Sequence, residues 1–121
     1  MGGDRSLLGR WGETEVAKWL SGNRYRLLDR NWRCRFGEID LISQKGNYIC
    51  FTEVKLRKNR DFAHAREFVD VRKQERLRTA AQLYLVQYPS ELQPRFDVAE
   101  VYAPEGTNTV QPEINYIENA F

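Results

Sequence analysis

Asp40, Glu53 and Lys55 are the residues of this chain whose types and spacing could do chemistry. They lie in two segments that read as strands, GEIDLI (Gly37–Ile42) and FTEVKL (Phe51–Leu56), joined through Gly46-Asn47. With Gly46 and Asn47 as the central residues of a type I′ or II′ hairpin, Lys45 faces Tyr48, Asp40 falls opposite Glu53, and Glu38 opposite Lys55. Directly opposed side chains have Cβ atoms about 5 Å apart, and two carboxylates at that spacing repel by about 3 kcal/mol at an effective dielectric near 20. A divalent cation would compensate, since Asp and Glu are hard oxygen donors suited to Mg²⁺ or Mn²⁺. Lys55, two residues beyond Glu53, projects from the same sheet face. Carboxylates, a hard cation and an ammonium group together suit phosphodiester chemistry. The plainer reading is an Asp–Glu pair at a wet edge, with Glu53 and Lys55 as ordinary solvated alternation.

The flanking residues favour a covered sheet. Ile39, Leu41, Cys50, Val54 and Leu56 are expected on one face, and Ile42, Ile49 and Phe51 on the other. Strands apolar on both faces are central ones, and a buried unpaired charge is expensive.

The elements that must position these groups follow from periodicity. Leu8, Gly12, Val16, Trp19 and Leu20 recur at helical spacing from Leu7 to Leu20, and Ser21-Gly22-Asn23 stops that helix. Glu13 lies on the border of its packed stripe and reads either as a surface carboxylate or as a further ligand, while Gly9 and Gly12 would allow close approach to a sheet. Tyr25–Trp32 reads as a first strand. Residues 57–67, carrying the single His64, read as an exposed basic loop in which His64 is given no role. A second helix is expected from the N-cap Asp70 to Tyr88, with Leu77, Ala80, Ala81, Tyr84 and Tyr88 inward. Lys73 and Gln74 extend that stripe by one turn, pointing toward one end of the sheet or snorkelling to solvent. Arg95–Ala103 alternates as a strand, and the long helix before it predicts a crossover with parallel pairing. Residues 104–121 read as a loop with a possible short edge strand at INYI.

The chain has 121 residues, of which 41% are hydrophobic, enough for one domain and too few for two. Its core is expected over residues 7–103. Cys34 and Cys50 form no CxxC pair, so neither a zinc site nor a disulfide framework is suggested and both are expected reduced. No N-terminal apolar run and no long apolar window appear, which predicts a soluble cytoplasmic protein with no membrane partner. The net charge is +2, yet residues 96–121 hold five acidic and no basic residues, leaving +7 on the first 95. A basic body with clusters at Arg24–Arg35 and Arg57–Arg66 fits a polyanion, although such arginines also commonly face solvent.

Taken together, GxxGExxA on the first helix, GEIDLI, FTEVK, the Lys-led helix ending AAQLYL, and RFDV resemble the YraN-like family over Gly9 to Val101. The resemblance implies an α/β fold with a restriction-endonuclease-like core: a central mixed sheet flanked by helices in the order α-β-β-β-α-β. It is similar to Holliday-junction resolvases and other PD-(D/E)xK nucleases, in a family whose role is largely uncharacterised. By position, the motif aspartate is Asp40, the ExK pair is Glu53 and Lys55, and Glu13 resembles the helix-one carboxylate of resolvase-type members. Lys73 or Gln74 resembles polar helix residues near substrate. Two departures stand out: Ile39 replaces the proline of the Pro-Asp dipeptide, and Ala63-His64-Ala65 stands where a glycine-containing segment is expected. Arg95 and Asp97 match the family's RFD and read as a structural salt bridge.

These implications give a metal-dependent nuclease. Asp40, Glu53 and Glu13 would hold Mg²⁺ or Mn²⁺, Lys55 would stabilise charge or position the nucleophile, and Arg57, Lys58, Arg60, Lys73 and Gln74 would grip the DNA backbone without reading sequence. Dimeric relatives leave a homodimer open. The rival reading is a nucleic-acid-binding or protein-interaction module that retains the fold without turnover.

Overall fold

A computed structural model describes residues 6–58 and 69–121. Helix α1 (Leu7–Gly22) begins where the Ser6 side chain, on extended backbone, accepts the Gly9 amide, and it ends at Asn23, whose own amide donates to the Leu20 carbonyl. Its buried stripe is Gly9, Gly12, Glu13, Val16 and Leu20. A β-carbon at Gly12 would lie 2.9 Å from Leu56 Cδ2, so the glycine is what lets the helix sit this close to the sheet.

Strands β1 (Arg26–Cys34), β2 (Gly37–Lys45) and β3 (Tyr48–Arg57) form an antiparallel meander. At the hairpin, Lys45 pairs with Tyr48 as its two-residue loop requires. The left-handed φ falls on Gly46 alone, at +58°, which is the signature of type II′. Helix α2 (Val71–Gln87) starts at Asp70, whose carboxylate accepts the Lys73 amide, and carries the chain across to β4 (Gln93–Tyr102). β4 pairs parallel to β3 and β5 (Glu113–Ile117) pairs antiparallel to β4, completing a mixed sheet in the order β1-β2-β3-β4-β5. The expected edge strand therefore exists, and the α/β class and element order agree with those read from the sequence.

Each face of the sheet is covered by one helix. Leu77, Ala80, Ala81 and Tyr84 of α2 pack on Ile39, Ile42, Ile49, Phe51 and Val98. On the opposite face Val16 and Leu20 of α1 pack with Tyr25, Leu41, Cys50, Ala99 and Val101. Two details differ from expectation. Ile39 lies with Ile42 under α2 rather than with Leu41, because strict alternation fails at Asp40 between them. Tyr88, at the α2 C-cap, is 47% exposed and packs at a tilt against Tyr84 from outside the core. Of the basic loop read over residues 57–67, Arg57 belongs to the end of β3 and Lys58 follows it, whereas Arg60, His64 and Arg66 lie outside the described residues. Among the described residues, no helix is long and apolar enough to cross a membrane.

Candidate active site

Asp40 sits where two ladders are interrupted. On one side the β1–β2 partners run Arg30–Leu41, then Trp32–Ile39, stepping over Asn31 and Asp40. On the other, β2 and β3 stay paired only as far as Leu41–Thr52, after which β3 continues with β4 through Glu53–Val98 and Lys55–Glu100. β2 and β3 thus part at a fork one pair before the expected Asp40–Glu53 opposition, and Glu38 partners Arg33 of β1 rather than Lys55. The sequence count fails here because it extends one register past the point where the strands diverge. The Asp40 carboxylate bridges the fork by accepting the Val54 amide at 2.9 Å, taking up a donor that no β2 carbonyl reaches.

The fork opens into a cavity of about 240 Å³ lined by Gly9, Glu13, Asp40, Glu53, Val54, Lys55, Leu56 and Lys73. Glu13, Asp40 and Glu53 are all buried, at 3%, 5% and 5% exposure. Glu13 comes from α1 and Lys73 from the first turn of α2, so the cavity gathers groups from both covering helices and both strands of the fork. Lys73 Nζ lies 2.6 Å from Glu53 Oε2, and Lys55 Nζ lies 3.9 Å from the same oxygen. Glu13 and Glu38, from different elements, both accept hydrogen bonds from Asn31 Nδ2, at 2.9 and 3.1 Å.

The electrostatics follow from crowding. Burial, then the charges of Glu53, Glu13 and Glu38, push the Asp40 carboxyl up to about 8, although the Val54 amide pulls the other way. Burial followed by the neighbouring Lys73 charge lowers Lys55. Burial also acts to lower Lys73, but the charge and hydrogen bond of Glu53 outweigh it and leave Lys73 raised. The two lysines divide the work of neutralisation unequally, with Lys73 tied to Glu53 and Lys55 the looser, more easily deprotonated amine. Among the described residues, no group of three or more His, Cys, Asp or Glu side chains stands in a constellation that could hold a metal ion.

The residues assigned to backbone grip are dispersed. Lys73 is in the cavity, whereas Gln74 turns its side-chain amide to the Val69 carbonyl at 2.8 Å. Arg57 is largely buried, with Nε 3.7 Å from Glu100 Oε2, and Lys58 lines a separate groove with Tyr102, Pro104 and Val110. Arg60 lies outside the described residues. Asn31 is a site residue that sequence reasoning does not find. Its signal is an asparagine, depleted in strands and tolerant of left-handed backbone, in the middle of a strand. Arg95 and Asp97, by contrast, form the expected ion pair, 2.9 Å apart and away from the cavity.

Known proteins bear on this arrangement through the chain as a whole. The family model of UPF0102, an uncharacterised protein family, matches residues 12–101. A UPF0102 protein of Acetivibrio thermocellus is 43% identical over 121 residues, covering 98% of this chain and 93% of the relative. A UPF0102 protein of Caldanaerobacter subterraneus is 39% identical over 119 residues, covering 98% and 97%, and one of Stutzerimonas stutzeri is 41% identical, covering 93% and 92%.

Proposed function

Because this chain belongs to the uncharacterised protein family UPF0102, and its motifs resemble those of restriction-endonuclease-like proteins, we propose that it is a metal-dependent nuclease that hydrolyses phosphodiester bonds in DNA. The observation that carries the reading is the fork itself. Three buried carboxyls and two lysines from four elements face one cavity of about 240 Å³, where a fold needing only stability would place apolar side chains.

The donor chemistry fits a hard dication: oxygen ligands only, with Asp40 short of countercharge. Asp40, Glu53 and Glu13 would hold Mg²⁺ or Mn²⁺, and such an ion, when bound, polarises a phosphoryl oxygen and lowers the pKa of a water. Glu53 would offer the ion its Oε1 while Lys73 stays on Oε2, and Lys73, in the same cavity, would be placed to meet a phosphate oxygen. Lys55, lowered by burial, holds its amine beside the scissile group to orient the attacking water or to stabilise developing charge. With backbone contacts and no base-reading element assigned, cleavage depends on DNA structure or only weakly on sequence.

A second reading, a nucleic-acid-binding module without turnover, is favoured by the closeness of Lys73 to Glu53 and by the lack of a ready ligand constellation among the described residues. The two separate cleanly. Branched, single-stranded and duplex DNA are incubated with Mg²⁺ or Mn²⁺ and wild type, Asp40→Ala or Glu53→Gln. Metal-dependent cleavage by wild type, lost at least a hundredfold in both variants, supports the nuclease. Salt-sensitive DNA binding that ignores both Mg²⁺ and Glu53→Gln, with no cleavage of any substrate, supports the binding module.

A further inference from the structure

Asn31 has a backbone φ of +52° inside β1, three residues before the strand ends at Cys34. A left-handed residue within a strand breaks pairing and carries strain, and such strain persists where the surroundings over-determine it, most often at functional sites. Asparagine is among the least costly non-glycine choices for that conformation. The break falls opposite Asp40, at the step the β1–β2 register passes over. The turned side chain reaches between α1 and β2, where its Nδ2 donates 2.9 Å to Glu13 Oε1 and 3.1 Å to Glu38 Oε2. Both amide hydrogens are thereby used on buried carboxylates of two other elements. The neighbours reinforce the pose: the Arg30 amide donates to Asp29 Oδ1 at 2.9 Å, and the Arg30 guanidinium to Thr14 Oγ1, next to Glu13, at 3.2 Å.

We propose that Asn31 is the positioning residue of this site: its left-handed backbone exists to aim one amide at Glu13 and Glu38, holding the α1 carboxylate in the cavity beside Asp40. The inference rests on the nuclease reading and deepens it. Glu13 stands on a helix, and a glutamate has three rotatable side-chain bonds, so a fixed donor narrows the rotamers open to its carboxylate. A neutral donor suits the task better than a lysine or arginine would. It orients the carboxylates without cancelling the charge that a dication needs. Outer partners of this kind typically change metal affinity by about 10- to 100-fold when removed.

The test uses the full chain and two variants. Asn31→Gly removes the amide but accepts a φ of +52° without strain. Asn31→Asp keeps size and backbone tolerance but replaces the donor with a third carboxylate facing Glu13 and Glu38. Thermal melts, Mn²⁺ calorimetry and DNA cleavage are measured on each. The expected result for Asn31→Gly is a cooperative melt at a lower temperature than wild type, since two buried carboxylates lose a donor, with Mn²⁺ affinity of the folded protein lower by at least tenfold and a lower kcat with KM for DNA within about twofold. Asn31→Asp loses at least as much. Wild-type Mn²⁺ affinity and kcat in either folded variant overturn the positioning role while leaving the nuclease reading intact. If Asn31→Gly does not fold, Asn31→Asp decides the question by the same criteria. A wild-type protein that neither binds Mn²⁺ nor cleaves DNA removes both.

Discussion

Asp40 costs folding free energy where it stands, and the sign of that cost can be measured. Its carboxyl moves from an ordinary 3.8 to about 8 because burial and three neighbouring glutamates disfavour the anion. A folded pKa above the unfolded one means that the folded chain holds its proton more tightly. This contribution to stability is therefore fully present below about pH 4, falls as pH rises, and is exhausted above about pH 8. Asparagine has the same shape, can still accept the Val54 amide through its carbonyl oxygen, and never ionises. Asp40→Asn should melt near wild type at pH 4 and higher than wild type at pH 8, by on the order of 5 °C in metal-free buffer. Adding Mn²⁺ should raise the wild-type melting temperature and leave the variant unmoved. Melting curves that track one another from pH 4 to pH 8 would show that Asp40 is not an uncompensated buried group. Asp40, Glu53 and Lys55 stand out in the sequence by residue type and spacing, and they line one cavity, but through the fork rather than through the hairpin pairing that their spacing predicts. Lys73's bond to Glu53 and the turned Asn31 were not legible. Each depends on a distance between elements that no local spacing encodes.

Among the elements, α1 shows how packing controls the site. Glu13 follows directly on Gly12, which approaches β3 closely enough that a β-carbon would meet Leu56 Cδ2 at 2.9 Å and Cγ at 3.3 Å. Leu56 also lines the cavity. An alanine there would push a terminal methyl, and its better helix propensity, about 1 kcal/mol over glycine, would offset much of the clash. A valine has no such escape, since its branch enters the space of Leu56. Gly12→Val should lower stability by about 1–3 kcal/mol in urea denaturation. It should also lift the N-terminal half of α1 and reduce Mn²⁺ affinity even though no ligand is changed. An unchanged urea midpoint would mean that the helix does not rest on Leu56. The helices and the β2–β3 hairpin were readable because caps and periodicity are local: Asp70 caps α2 as its sequence requires, and Gly46 takes the turn's left-handed φ. The fork was not readable, because it arises where β2 leaves one edge of β3 beyond Thr52 while the other edge stays paired with β4 from Tyr48 to Arg57, a divergence that no local spacing encodes.

At the scale of the whole molecule, the last strand and the chain end are fastened by a polar network remote from the cavity. Asp97, fully buried, accepts Nε and a terminal nitrogen of Arg95 at 2.9 Å each, the Tyr116 hydroxyl at 2.6 Å and the Asn119 amide at 2.9 Å. Arg95 also donates 2.9 Å to the Tyr25 hydroxyl, which in turn donates 3.2 Å to Glu118. β1's approach, β4 and β5 are thus joined through one aspartate. Removing it takes the bidentate partner from a buried guanidinium, leaving Arg95 the Tyr25 hydroxyl and Glu118 at 3.9 Å, and breaking a buried pair in this way costs up to about 3–5 kcal/mol. The cysteines report whether this happens. Cys50, next to Asp97 and buried, has its thiol pushed up to about 12 by burial first and Asp97 second, while Cys34 is only partly buried. A thiol at that value has almost no thiolate at neutral pH, so in native wild type one thiol per chain, Cys34, should react with an aromatic disulfide reagent, and Cys50 only on unfolding. Asp97→Ala should lower the urea midpoint and expose Cys50 to the reagent at a rate at least tenfold faster, with the Cys34→Ser background isolating the signal. Two thiols reacting at comparable rates in native wild type would contradict the buried network, and slow Cys50 labelling in Asp97→Ala would show that β4 and β5 hold together without it.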